Sequence, residues 1–303
     1  MFFRCLPAVL SFCICLAAAG CPRNQESKEP PVKAVTVAVQ NSDPTTEIKP
    51  DAKDEQPTKQ DPRKGAEWGT IVGRVVWVGP LPNPPPIVPA GGAGGGCPAQ
   101  IADDVWIVDP KTKGLANTFA WLAPKDPKDK EAKLPIHPDL KAPPKTPVEM
   151  DQPACRFIPH ALAMREGQDL IAKNSSAIAH NFKYTGNPGV VANAGANILL
   201  PPELMPGGQK VIKGLVADRL PIVVECNIHP WMKGYIRIFD HPYFAVTDAE
   251  GKFEIKNAPT GEYRLLVWNG SGGWAGGAKG RTGQAIEVRE KTDLGDLKYP
   301  APE

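Results

Sequence analysis

Four side chains in this sequence have the chemistry to hold a redox metal. Cys226, His229 and Met232 lie on one short run, Cys226-Asn227-Ile228-His229-Pro230-Trp231-Met232, and His180 stands far upstream in Ala179-His180-Asn181. A soft thiolate suits Cu(I), imidazole suits either copper state, and a weak thioether restrains the tetragonal geometry that Cu(II) otherwise takes. Together they are the ligand set of a trigonal, thiolate-bound copper site, where an electron comes and goes with little rearrangement. Two residues separate Cys226 from His229 and two more separate His229 from Met232, so one loop can wrap three ligands around one ion. His180 must then come from the end of a neighbouring strand. Two blander readings compete: a buried core thiol beside a surface histidine, and a structural zinc site, which a thioether suits poorly.

The rest of the sequence offers little other chemistry. His160 reads as a satisfied strand histidine, and His137 and His241 have no ligand companion nearby in sequence. No serine, histidine and aspartate set and no paired carboxylates stand out, and the glycine-rich stretch 270–283 lacks the lysine and helix of a phosphate cradle, so it reads as a flexible loop. Four ligating side chains leave no open metal position for a substrate, which argues against an enzyme. A net charge of +2 with acids and bases mixed along 303 residues gives no basic stripe for nucleic acid.

The elements that must position the ligands read as strands. With 35 prolines and 29 glycines the chain favours turns and loops over long helices, and no segment has a convincing helical period. A β-branched, glycine-bounded run at 69–79 is followed by a strand pair at 105–108 and 118–122 around Lys113-Gly114, then by a proline- and lysine-rich loop over 124–147. Short apolar runs at 156–164, 169–174, 181–184, 209–216, 222–226 and 234–239 have the spacing of a Greek-key β-sandwich. After Asp240 come a hairpin turning at Asp248 to Gly251 and a strand following Pro259-Thr260-Gly261. The fold class expected is all-β.

The N-terminus predicts a compartment. Arg4 precedes an almost wholly apolar stretch over 5–20, too short for a comfortable membrane span and closing on small residues, as a secretory signal does. Residues 22–66 are Lys, Asp, Glu, Gln, Pro and Thr with hardly an aromatic, a disordered linker by composition. Of the seven cysteines, Cys97, Cys155 and Cys226 lie beyond the signal and its closing Cys21. If Cys226 binds metal, the other two form an even pair in an oxidising space, which predicts a Cys97–Cys155 disulfide, with two free buried thiols as the alternative.

Three resemblances sharpen these expectations. The Gly20-Cys21 ending resembles a bacterial lipoprotein signal, which implies lipidation of Cys21 and anchoring at the periplasmic side of a membrane; plain secretion is the alternative. The Cys-x-x-His-Pro-Trp-Met loop and the upstream His180-Asn181-Phe182 resemble the cupredoxins, and within them the amicyanin type, which carries phenylalanine where Trp231 stands. That resemblance implies equatorial ligation by His180, Cys226 and His229, axial ligation by Met232, and Asn181 tying the two ligand loops together by hydrogen bonds. Glu225, where an aromatic is usual, should favour Cu(II). The stretches Thr247-Asp248 to Phe253 and Pro259 to Tyr263, with Gly73-Arg74-Val75 and the run 114–120, resemble the carboxypeptidase regulatory-like family of prealbumin-type sandwiches. The cupredoxin-like domain, 148–239, would then be inserted in a regulatory-like sandwich built from 67–147 with 240–303; two sequential domains are the simpler alternative.

The expected function is that of an exported type 1 copper protein, a one-electron carrier in the cell envelope. Trp231 has two readings, a core residue or, with Pro230, an apolar patch at the edge of His229 where a redox protein would dock. The other readings are copper storage or delivery without electron transfer, and a surface interaction protein stapled by a metal.

Overall fold

Strands form where β-branched and aromatic residues alternate with polar ones between glycine and proline boundaries. In the computed structural model of the protein, which describes residues 67–89, 95–129, 131–189 and 191–301, such segments make sixteen strands. The expected signal at 1–21 with its Cys21, and the linker 22–66, lie outside the described residues. In chain order the strands are β1 (Trp68–Val78), β2 (Thr118–Ala123), β3 (Val148–Met150), β4 (Ala161–Arg165), β5 (Leu170–Lys173) and β6 (His180–Thr185). Next come β7 (Ala196–Leu200), β8 (Gln209–Ile212), β9 (Ile222–Glu225), β10 (Lys233–Phe239) and β11 (Phe244–Val246). The last are β12 (Lys252–Pro259), β13 (Gly261–Asn269), β14 (Gly273–Trp274), β15 (Gln284–Val288) and β16 (Lys291–Pro300).

The architecture is all-β. Strands β3 to β10 build two sheets, ordered β4-β10-β9-β6-β7 and β3-β5-β8. The flanking strands build two more, β12-β1-β16 and β11-β2-β13-β14 with β15 beside β13. The crossovers are of Greek-key type, and not every pairing is antiparallel: β4 runs parallel to β10, β3 to β5, and β1 to β16.

Three apolar clusters hold these layers. Met150, Met164, Leu170, Phe182, Val224 and Ile238 belong to the core between the β3–β10 sheets. Ile71, Val75, Leu122, Tyr243, Ile255 and Val267 belong to the core between the flanking sheets. The third cluster joins the two sandwiches: Phe119, Trp121 and Leu266 of the flanking sheets pack with Ala161 and Phe239, which lie on β4 and β10. One outer face of the β3–β10 sandwich is thereby covered.

Several segments depart from the sequence reading. Residues 105–108 form no strand; only Val108 bridges to Leu115, because the Trp106 ring anchors the segment against Trp77 at 4.8 Å and Tyr299 at 6.1 Å. The run 156–164 becomes a strand only at Ala161, since Pro159 has no N–H to give to a ladder. His160 therefore precedes the strand, with its Nδ1 3.4 Å from the Asp104 carboxylate. The glycine-rich stretch 270–283 is not merely a loop: it holds β14 and the short 3-10 helix Gly277–Thr282, and Trp274 lies 5.5 Å from Trp121.

Candidate metal centre

Alternation along two neighbouring strands brings the first candidate donors together. On β6 the side chains of His180, Phe182 and Tyr184 face the core while Asn181 and Lys183 face out. On β9 Ile222 and Val224 face in, Val223 faces out, and Cys226 continues the inward row one step past the strand. The strands pair antiparallel with Lys183 opposite Glu225, so the next inward residue, Cys226, falls opposite Phe182 and diagonally across from His180. The loop between β9 and β10 then folds back. The Met232 N–H donates to the His229 carbonyl at 2.9 Å and the Cys226 N–H to the Met232 carbonyl at 3.3 Å.

The result is a convergent donor triangle. His180 Nδ1 and His229 Nδ1 are 2.9 Å apart, and Cys226 Sγ is 3.8 Å from each. A triangle with those sides has a point about 2.1 Å from all three corners, within the bond lengths of about 2.0–2.3 Å that a late first-row metal makes to imidazole and thiolate. His180 and Cys226 are buried, at 0% and 2% exposure, while His229 is partly exposed. Met232 is buried in the same core cluster as Cys226. The donor set fits a thiophilic ion that accepts imidazole, as copper does.

A polar knot prepares His180 for this role. Ser176 Oγ donates to the Gln152 carbonyl at 2.6 Å and lies 3.1 Å from His180 Nε2. With its own proton committed, the hydroxyl accepts from His180 Nε2–H, which leaves the Nδ1 lone pair facing the triangle. The turn carrying Ser176 is pinned by Asn174, whose Nδ2 donates to the carbonyls of Ile178, Leu200 and Pro201. Nothing in the sequence singled out Ser176; its position four residues before His180 was the available signal.

Asn181 links the two ligand segments through its backbone. Its N–H donates to Cys226 Sγ at 3.3 Å, whereas its side chain donates to Asn197 Oδ1 on β7. Any non-proline residue could make the first bond, so the residue type at 181 was not what mattered for it. Glu225 faces away from the thiol by strand alternation, and its carboxylate lies 3.7 Å from Lys183 Nζ, which compensates its charge. Any pull it would exert toward Cu(II) would be correspondingly weaker than adjacency in sequence implies.

Around His229 the surface is apolar. Ile228 is 47% exposed and Pro230 is exposed. Trp231 is half-buried, with its ring 5.1 Å from that of His229 and its indole N–H donating to the Cys155 carbonyl at 3.2 Å. Cys155 is joined to Cys97 by a disulfide. His160, His137 and His241 lie outside the triangle.

Burial, and next the neighbouring His229, lower the His180 pKa from 6.5 to about 4; burial also lowers that of His229. His241, between the sandwiches, is held down to about 4 chiefly by burial. The unfolded chain therefore takes up more protons than the folded one as pH falls from 6.5 to about 4, and stability is lost through that window. Thermal unfolding of metal-free protein should show a midpoint that drops from about pH 7 to about pH 4; a flat profile would refute the buried, neutral histidines.

No protein-family model and no curated protein matches the sequence. Among solved structures, an amicyanin from Paracoccus versutus aligns at 15% identity over 32% of this chain and 84% of its own, with a TM-score of 0.26. A reduced Cu(I) form of an amicyanin variant aligns at 15% identity over 40% of this chain and 98% of its own, also at 0.26. A purple cupredoxin from Nitrosopumilus maritimus aligns at 18% identity over 30% of this chain and 99% of its own, with a TM-score of 0.25. Scores this low carry no argument by themselves; the donor triangle stands on its own geometry.

Proposed function

We propose that this chain is a thiolate-copper protein that carries single electrons in the cell envelope. The convergence of His180 Nδ1, Cys226 Sγ and His229 Nδ1 around a point about 2.1 Å from each carries the reading. A bound copper ion supplies the one-electron couple. The chain's own residues do the rest. Two strands and one hydrogen-bonded loop hold the donors rigidly, Ser176 sets the His180 tautomer, and the Asn181 N–H bonds the sulfur, so little would move when the charge changes. Buried Met232, on the same loop, is the fourth and weakest donor of the set.

The partly exposed edge of His229, rimmed by Ile228, Pro230 and Trp231, is where a redox protein would dock and the electron would leave. In this reading residues 148–239 are a cupredoxin-like domain inserted in a regulatory-like sandwich, and a lipid on Cys21 with the linker 22–66 tethers both outside the cytoplasm. With four side-chain donors and no position kept for substrate, the site suits a carrier rather than an enzyme.

The test is visible absorption of the full-length protein titrated with Cu(II) and then with a reductant. An intense thiolate-to-copper band that bleaches on reduction is expected. Absence of any such band at full copper loading would remove the electron-transfer reading.

A further inference from the structure

The metal centre has a second sulfur neighbour. The Cys97 and Cys155 sulfurs and a His229 ring nitrogen all lie within 4.8 Å of one another, a second potential ligand group that shares His229 with the first. Cys97 reaches this place on a segment that leaves β1 of the flanking sandwich. The segment is steadied by the reciprocal Ile87–Ile101 backbone pair, and Ile101 is buried in the core between the β3–β10 sheets. Gly96 approaches so closely that a Cβ there would lie 2.1 Å from Ile178 Cγ2, two residues before His180.

The Cys155 side is equally constrained. Ala154 and Cys155 have φ of 49° and 58°, a left-handed conformation that non-glycine residues adopt at a cost of about 1–3 kcal/mol each. The Trp231 indole clamps the Cys155 carbonyl, and the Trp231 ring lies against His229. A disulfide that only stapled the fold would not need to sit against a metal ligand on strained backbone.

We propose that Cys97, Cys155 and His229 form a second, thiol-dependent Cu(I) site, so that reducing the disulfide offers a copper ion an alternative seat beside the first. A dithiol supplies two electrons and two protons and leaves as its own disulfide, while the Cys97–Cys155 bond opens to two thiols. Each thiol loses its proton to solvent when its sulfur binds Cu(I) as thiolate. Two thiolates and an imidazole are a softer set than the one thiolate and two imidazoles of the first seat, so Cu(I) moves toward them. Because both seats need His229, one is filled fully at a time. The disulfide state therefore holds copper for electron transfer and the dithiol state holds it as Cu(I) for transfer to another soft site.

Cu(I) affinity, measured by competition with a chromogenic Cu(I) chelator, tests this on full-length protein before and after reduction by a water-soluble phosphine and anaerobic desalting. The Cys226→Ser variant, which lacks the first thiolate, should gain on the order of a hundredfold in Cu(I) affinity when its disulfide is reduced. The Cys97→Ser/Cys155→Ser variant should gain nothing on the same treatment. In reduced wild-type protein, one equivalent of Cu(I) should protect Cys97 and Cys155 from alkylation, read by peptide mass spectrometry, whether or not the serine variants fold.

Protection of Cys226 alone, or no gain in Cys226→Ser, overturns the second seat. The proposal takes its first seat from the copper reading above, and the two fail separately. A blue band with no gain on reduction sinks only the second site. A gain on reduction without a blue band sinks only the electron carrier.

Discussion

Replacing Cys226 with serine is expected to abolish the visible copper band completely while leaving the fold intact. The band needs a thiolate bonded to Cu(II), and Cys226 supplies the only sulfur of the donor triangle. A serine hydroxyl does not ionise near neutral pH and is a hard, weak ligand, so copper affinity should fall by at least about a hundredfold as well. The substitution is nearly isosteric, and its hydroxyl can still accept from the Asn181 N–H that now bonds Cys226 Sγ, so no buried donor is orphaned. Absorption, copper stoichiometry and far-ultraviolet circular dichroism on the same sample separate the outcomes. A variant that folds, binds copper and keeps the band would place the thiolate elsewhere and dismiss the triangle as the redox centre.

The second large effect lies away from the metal. Trp121→Ala is expected to cost about 3–5 kcal/mol of stability, the usual range for emptying a buried aromatic site, without altering the copper spectrum. Trp121 is 4% exposed on β2, with Phe239 of β10 at 5.8 Å and Trp274 at 5.5 Å, and it belongs to the cluster that joins the two sandwiches. The Arg237 guanidinium lies 5.3 Å from its ring and 4.6 Å from that of Phe239. Burial already pulls the Arg237 pKa down to about 10, so removing one aromatic wall leaves a costly buried cation with less compensation. Chemical denaturation followed by tryptophan fluorescence and, in loaded protein, by copper absorbance should show an earlier midpoint with the same starting spectrum. A loss under about 1 kcal/mol would mean that the sandwiches are coupled by something other than this contact.

These two effects mark different depths of legibility. Donor types and the spacing of the loop are properties of the chain, because residues three apart in a tight turn can share its inner surface. Cys226, His229 and Met232 were therefore readable as a group, and the inward row of β9 followed from alternation of Ile222, Val224 and Cys226. The all-β class was equally plain from proline, glycine and short β-branched runs.

What brought His180 to within 3.8 Å of a sulfur 46 residues away was the register of β6 on β9, which local pattern does not specify. The Ser176 hydroxyl, the Asn181 N–H and the packing of the Cys97 segment against Ile178 and His229 depend on the same three-dimensional closure. So does the cluster of Phe119, Trp121 and Phe239 between the sandwiches, whose members come from strands more than a hundred residues apart. Strand alternation decides which face a side chain takes, so the sequence alone determined the donors, their loop and the all-β class. Only the tertiary structure decided which faces meet, and with that the bond that orients His180, the charge partner of Glu225 and the disulfide's place beside His229.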